Sequence, residues 1–135
     1  MFDRILHYAD APARACMAAI FVLSGVSKIG AFEATQGYMA AFGLPGALLG
    51  PTIAFEILAG AAVLLGIGAR HAAFLLAGFS IVTALIFHRD FGDQIQQIMF
   101  LKNVAIAGGL LLLARNGSPS LSLERVLSDQ QESVQ

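Results

Sequence analysis

Charged side chains are scarce in this sequence. Asp, Glu, Lys and Arg make up 13% of its 135 residues, where soluble globular domains carry about 25%. A one-domain chain cannot cover a water-facing surface with so few. The formal net charge is −1, and no basic stripe or charge run is present, which excludes nucleic acid as a partner. Cysteine occurs once, at Cys16, which excludes an internal disulfide, a Cys-x-x-Cys redox pair and a four-thiolate metal site. Cys16 lies in an apolar stretch, where a lone cysteine behaves as a small hydrophobe. Gly-rich phosphate loops, nucleophile elbows, His-x-x-x-His pairs and haem-binding cysteine pairs are also missing. His7, His71 and His88 are too dispersed to converge on one metal, so no metal centre is expected.

What the chain has instead is hydrophobic surface: 57% of its residues are apolar and the mean hydropathy is +0.74. The apolar residues gather in four segments, 13–29, 47–67, 72–87 and 98–114. None shows a wide polar face, and each is close to the ~17–25 residues that span a bilayer. Backbone groups in lipid must be satisfied within the segment, so the four spans are predicted to be helices in one all-α membrane bundle. The basic start and first apolar run look like a secretory signal, but Asp3 and Asp10 interrupt the start and no small-x-small cleavage pattern follows. The run is therefore read as an uncleaved first span. Arg4, Arg14, Arg70, Arg115 and Arg125 share the side of the two termini, and Arg89 alone falls in a loop on the other side. The positive-inside rule then puts both termini in the cytoplasm.

The connections carry their own signals. Residues 33–45 read as a short surface helix or re-entrant piece, with Tyr38 at headgroup level and Pro45 starting the next span. Gly66, Gly68 and Arg70 make a tight turn, and 88–97 is the most polar internal loop. Beyond Arg115 the tail, 116–135, turns at Asn116-Gly117-Ser118-Pro119. Its Leu121, Leu123, Val126 and Leu127 suit one or two interfacial turns before fraying from Ser128. Gly60, Gly78 and the Ala105–Gly109 pair are read as sites of close helix packing.

The informative residues interrupt the apolar runs. Lys28 from Arg14, Glu56 from Arg70 and Lys102 from Arg115 are each about four helical turns along their spans, which sets all three roughly 20 Å above one rim. That depth is inside a hydrocarbon core about 30 Å thick. An ionisable group there is expensive in lipid and is a functional candidate by default. Glu56 is therefore expected to face inward and to pair with Lys28 or Lys102. Ser24, Ser27, Thr83, His88 and Asn103 approach the same level as further hydrogen-bonding groups. Two ammonium groups against one carboxylate leave the layer positive unless one lysine reaches outward along its stem. The bland alternative is a carboxyl and two lysines that only fix helix register and membrane depth.

The run Phe21-Val22-Leu23-Ser24-Gly25-Val26-Ser27-Lys28-Ile29, then Gly43-Leu44-Pro45, then Glu56 with Gly60 and Leu64-Leu65-Gly66, resembles the first half of the DoxX family. Phe87-His88 and Phe100-Leu101-Lys102-Asn103-Val104-Ala105-Ile106-Ala107-Gly108-Gly109-Leu110 are similar to its second half. The resemblance implies a small bacterial inner-membrane protein of four helices. The family is named for its similarity to a subunit of an archaeal thiosulfate:quinone oxidoreductase, and some members partner redox enzymes. With no thiol pair and no haem ligand, a redox role here rests on quinone or on a soluble or membrane redox partner. The expected function is a membrane subunit that binds quinone or another amphipathic small molecule, with Lys28, Glu56, His88, Lys102 and Asn103 as candidate ligand-binding or ion-pairing residues. The competing expectations are a non-enzymatic assembly or anchoring subunit and, ranked last, a proton-coupled transporter, which four spans would support only as a homo-oligomer or with rigid helices around a water-filled cavity.

Overall fold

The computed structural model describes residues 1–118 and 122–133. Among them are six α-helices and no strand: α1 Phe2–Gly30, α2 Phe32–Ala41, α3 Leu49–Leu65, α4 Ala69–Phe87, α5 Gln94–Asn116 and α6 Leu123–Glu132, with a 3-10 turn at Gly46–Leu48 leading into α3. Four helices, α1, α3 with its leading turn, α4 and α5, are long and apolar enough to cross a membrane. The chain is an all-α membrane bundle. Its outer surface is as apolar as its interior, as lipid requires: Leu23, Leu58, Phe74 and Leu112 all point outward. Cys16 also faces outward.

At about 1.5 Å per residue α1 extends about 43 Å, more than the ~30 Å hydrocarbon core. Its first turns, with Asp3, Arg4 and Asp10, therefore project past the apolar segment. On α1 the buried residues are Arg14, Ala18, Phe21 and Gly25; on α3 they are Leu49, Ile53, Glu56, Gly60 and Val63. Both sets follow the alternating four- and three-residue spacing of one helical stripe. The stripes meet closely because glycine stands at the crossing. A Cβ on Gly25 would come within 2.6 Å of Ile57, and one on Gly60 within 2.9 Å of Val22. Gly60 thus has the packing role its sequence setting suggests. Gly78 has not, since a Cβ there would meet nothing within 4 Å; of the Ala105–Gly109 pair, Ala105 faces outward while a Cβ on Gly109 would lie 3.1 Å from Met17.

α1 packs most extensively on α3, and α4 on α5. The α3–α4 contact is smaller and the α1–α5 contact is slight, so the bundle is two tight helix pairs set side by side. At the end of the bundle opposite α2 each pair is clasped by arginine. Arg14, 1% exposed, donates from Nη1 to the carbonyls of Val63 (3.1 Å) and Leu64 (2.8 Å) and from Nε to Asp10 (3.0 Å). These are among the last carbonyls of α3, which have no partner within the helix, and a cation suits that end of the dipole. Arg70 does the same for the second pair, with Nε donating to Ala114 O at 2.9 Å. Arg14 was expected only to mark the membrane rim; the structure buries it as a cap.

Gly66 and Gly68 turn the chain from α3 to α4 in the left-handed region, at φ +71° and +56°. Gly66 is needed twice over, because a Cβ there would lie 2.4 Å from that of Ser122. α6 begins beside this turn, with Ser122 Oγ accepting from Arg125 N and Glu124 accepting from Gly68 N. It continues to Glu132, past the point where the tail was expected to fray. Leu123, Val126 and Leu127 remain exposed. Pro119 and Leu121, part of the same expectation, lie outside the described residues.

Candidate functional site

Glu56 lies on the inward stripe of α3, 3% exposed. Lys28 continues the stripe of α1 one step beyond Gly25, which directs its ammonium across the pair interface. Nζ is 2.9 Å from Glu56 Oε2 and donates to Oε1 at 3.0 Å and to Ser24 Oγ at 2.5 Å. Ser24 in turn donates to Oε1 at 3.1 Å. Both hydrogen bonds to the carboxylate thus converge on Oε1. Oε2 is buried and within ion-pair distance of Nζ, yet no described donor is in hydrogen-bonding geometry to it. The short distance is an electrostatic contact, and a buried carboxylate oxygen left this way retains unmet accepting capacity.

The three groups stand in the wall of a cavity of about 400 Å³, within the ~300–1,000 Å³ of small-molecule sites. α1, α3, α4 and α5 form its sides, and Thr35, Tyr38 and Met39 of α2 close one end. α2 is held there by aromatic stacking. Tyr38 lies parallel to Phe87 with ring centroids 5.4 Å apart, and Phe42 meets both rings at 5.0 Å. Met39 is buried with Leu49 and Ile53 beneath it, and Gln36 donates to Gly46 O at 3.1 Å. Tyr38, expected at headgroup level, is half exposed and belongs to this roof.

His88 and Asn103 also line the cavity. His88 Nδ1 is 2.8 Å from Gln96 Oε1. An amide oxygen only accepts, so with this amide orientation Nδ1 carries the proton and Nε2 of the neutral ring remains an acceptor. Asn103 donates from Nδ2 to Met99 O at 3.0 Å, which leaves its carbonyl oxygen free of that bond. Thr83 contributes to the wall as well, and so do Thr52 and Ser80, which sequence reasoning passed over. Their hydroxyls bond carbonyls one turn back, Leu48 and Leu76, as such residues commonly do in apolar helices.

Lys102 departs from expectation. It is exposed, forms no salt bridge among the described residues and does not line the cavity. The reason is helical phase. On α5 the inward direction is set by Asn103, Ala107 and Leu110, and one residue is about 100° of rotation. Lys102 is thus at the expected depth but turned away from Glu56. Its departure removes the surplus positive charge, leaving one ammonium against one carboxylate. Ser27 is also exposed, while Ser24 is in the cluster.

The fold and site define a class: a small multi-pass helical membrane protein with an ion pair buried in the wall of a roofed, largely apolar cavity. Comparison with known proteins gives the family. The DoxX family model matches residues 9–89, and the chain belongs to the DoxX family. It is similar to inner membrane protein YqjF of Escherichia coli, with 40% identity over 116 residues covering 86% of this chain and 89% of the relative. It is also similar to inner membrane protein YphA of the same organism, 38% identical over 120 residues covering 84% and 86%. No solved structure matches. The match to the family model holds Lys28, Glu56 and His88 and ends before Lys102 and Asn103.

Proposed function

We propose that this chain is a bacterial inner-membrane subunit that holds an amphipathic small molecule, with quinone as the leading class, in the cavity beneath α2 and serves a redox partner. The supporting observation is the cluster in the cavity wall: a buried carboxylate with one oxygen short of a hydrogen bond, a lysine held against it, and an otherwise largely apolar lining. Lys28 carries three donors and uses two, on Ser24 and on Glu56, so one N–H is available to a ligand carbonyl. His88 Nε2 and the Asn103 carbonyl offer acceptors to a hydroxyl. The distribution of arginines favours cytoplasmic termini, which puts α2 and the cavity toward the outer face.

The test is binding of a short-chain quinone and its quinol to the purified protein in lipid nanodiscs. A charge-assisted hydrogen bond contributes about 1.5–3 kcal/mol, so Lys28→Met should weaken binding by about tenfold or more. Lys102→Ala should leave it unchanged. Binding that survives Lys28→Met intact removes the site from this role.

A second reading draws on the same pair, since Lys28 and Glu56 join α1 to α3: an assembly or anchoring subunit in which the charges only fix register. It requires that Lys28→Met and Glu56→Gln alter stability while no amphiphile binds the wild-type cavity.

A further inference from the structure

The cavity lies beneath α2, between the parts of the four spans nearest to it. α2 covers the outer end, fixed by the Tyr38, Phe42 and Phe87 rings. The seam between α3 and α4 differs along its length. In its inner part Phe55 and Phe79 meet with ring centroids 5.3 Å apart, and below them Val63, Ala72, Ala73 and Leu76 form a closed core. Outward of that aromatic pair no further ring pair bridges the seam among the described residues, and Phe87 near the end of α4 packs against the cluster of Met39, Leu49 and Ile53. Leu48 of the 3-10 turn and Val82 of α4 both line the cavity and yet are 47% and 53% exposed. Residues that face the cavity and the exterior at once mark the rim of an opening; Ile20 of α1 and Tyr38 of α2 do so singly, whereas Leu48 and Val82 do so on both sides of one seam. Leu48 and Thr52 are on the same edge of α3 as Phe55, and Val82 and Ile86 are on the edge of α4 that carries Phe79. Apart from the Thr52 hydroxyl, which is bonded to Leu48 O, these rim side chains are hydrocarbon. A polar solute gains nothing from such a rim, whereas an alkyl chain already dissolved in the bilayer meets a continuous apolar surface.

We infer that the cavity is loaded sideways from the bilayer, through a window between α3 and α4 bounded by Leu48, Thr52, Val82 and Ile86, and that its ligand is a single-tailed amphiphile of the outer leaflet, not an aqueous solute. The inference rests on the cavity being a ligand site, as proposed above. A polar head passing the window arrives at Lys28 and Glu56 while the tail stays in the opening. The site then needs no movement of α2.

The experiment uses the full chain in lipid nanodiscs. The sequence has no tryptophan, so a Phe79→Trp substitution supplies a unique fluorophore in the cavity wall, and the probe is a quenching brominated alkylphenol with a ten-carbon tail. Leu48→Cys and Val82→Cys, with Cys16→Ser, allow a short bis-thiosulfonate staple across the window that reductant removes. The expected result is quenching slowed by about tenfold or more when stapled and restored by reductant, since a required conformational opening limits association. A disulfide that ties the roof to the 3-10 turn, through Gln36→Cys and Gly46→Cys with Cys16→Ser, should leave the rate unchanged, since neither residue lines the cavity and a Cβ on Gly46 would lie 3.4 Å from that of Gln36. Brominated phenol without a tail should not compete. Equal rates with the window stapled and free, or slowing by the roof staple alone, would overturn sideways entry while leaving the cavity a ligand site. No quenching in the unstapled reporter would instead reject the cavity reading itself.

Discussion

The two halves of the buried ion pair should be unequal in what their loss costs. Lys28→Met leaves the Glu56 carboxylate 4% exposed by side chain, on a short stem midway along α3, with Ser24 as its remaining donor. Removing one partner of a buried pair costs about 3–5 kcal/mol, because the other charge is left uncompensated. Glu56→Gln leaves an ammonium on a long stem that is already 26% exposed and near the end of α1. Such a lysine extends to the membrane boundary, and the glutamine oxygen still accepts from Ser24, so the loss should be about 1–2 kcal/mol. The double variant Lys28→Met with Glu56→Gln carries no stranded charge and should fall short of the summed losses by about 1–3 kcal/mol, as expected for groups in contact. The assay is reversible unfolding in mixed micelles, followed by circular dichroism as the fraction of denaturing detergent rises. Equal losses from the two single variants, or strict additivity in the double, would refute the assignment of Glu56 as the trapped charge and Lys28 as the mobile one.

Arg14→Lys should destabilise the bundle by about 2–4 kcal/mol in the same assay, although charge is kept, because a compact ammonium cannot reproduce the guanidinium fork across Val63 O, Leu64 O and Asp10. A loss below about 0.5 kcal/mol, the range of ordinary surface substitutions, would show that these bonds carry no stability. Gly68→Ala should cost about 1–2 kcal/mol for its positive φ alone. Gly66→Ala should cost about 1–3 kcal/mol more, since its Cβ runs into Ser122, and should also release α6, seen as faster trypsin cleavage at Arg125. Equal effects at the two glycines would remove the contact between this turn and the tail.

The sequence carried depth better than direction. Counting residues from each arginine put Lys28, Glu56 and Lys102 at one level, because the rise per residue is nearly constant. Direction around the axis has no such ruler in lipid: both faces of a membrane helix are apolar, so hydropathy does not distinguish the neighbour-facing side. Lys102 was misjudged for that reason, although Asn103, Ala107 and Leu110 form the stripe it does not join. Arg14 was read incompletely for a related one. A basic residue at the start of an apolar run reads as a rim marker, and nothing local reveals that the end of α3, some fifty positions later in the chain, will present carbonyls to it. The resemblance found in the runs around Lys28 and Glu56 was enough to reach the family. The α3–α4 window was beyond reach, since it depends on where two helices part.

The clasps account for where the cavity forms. Each tight pair is tied twice: α1 to α3 by Arg14 on the last carbonyls and by Lys28 on Glu56, α4 to α5 by Arg70 on Ala114 and by His88 on Gln96. Between the pairs there is no salt bridge among the described residues, and the inner seam is filled by alanine and leucine with the Phe55–Phe79 contact at its upper edge. Apolar contacts hold helices in lipid only where side chains interdigitate. In the half nearer α2 two of the four clasps turn their polar groups toward the space between the pairs, and polar groups cannot be packed there as tightly as alanine. A space opens at that level for the same reason that Glu56 is tolerated there. Filling it with hydrocarbon, as in Thr83→Leu with Ser80→Ala, should therefore tighten the bundle and abolish amphiphile binding together.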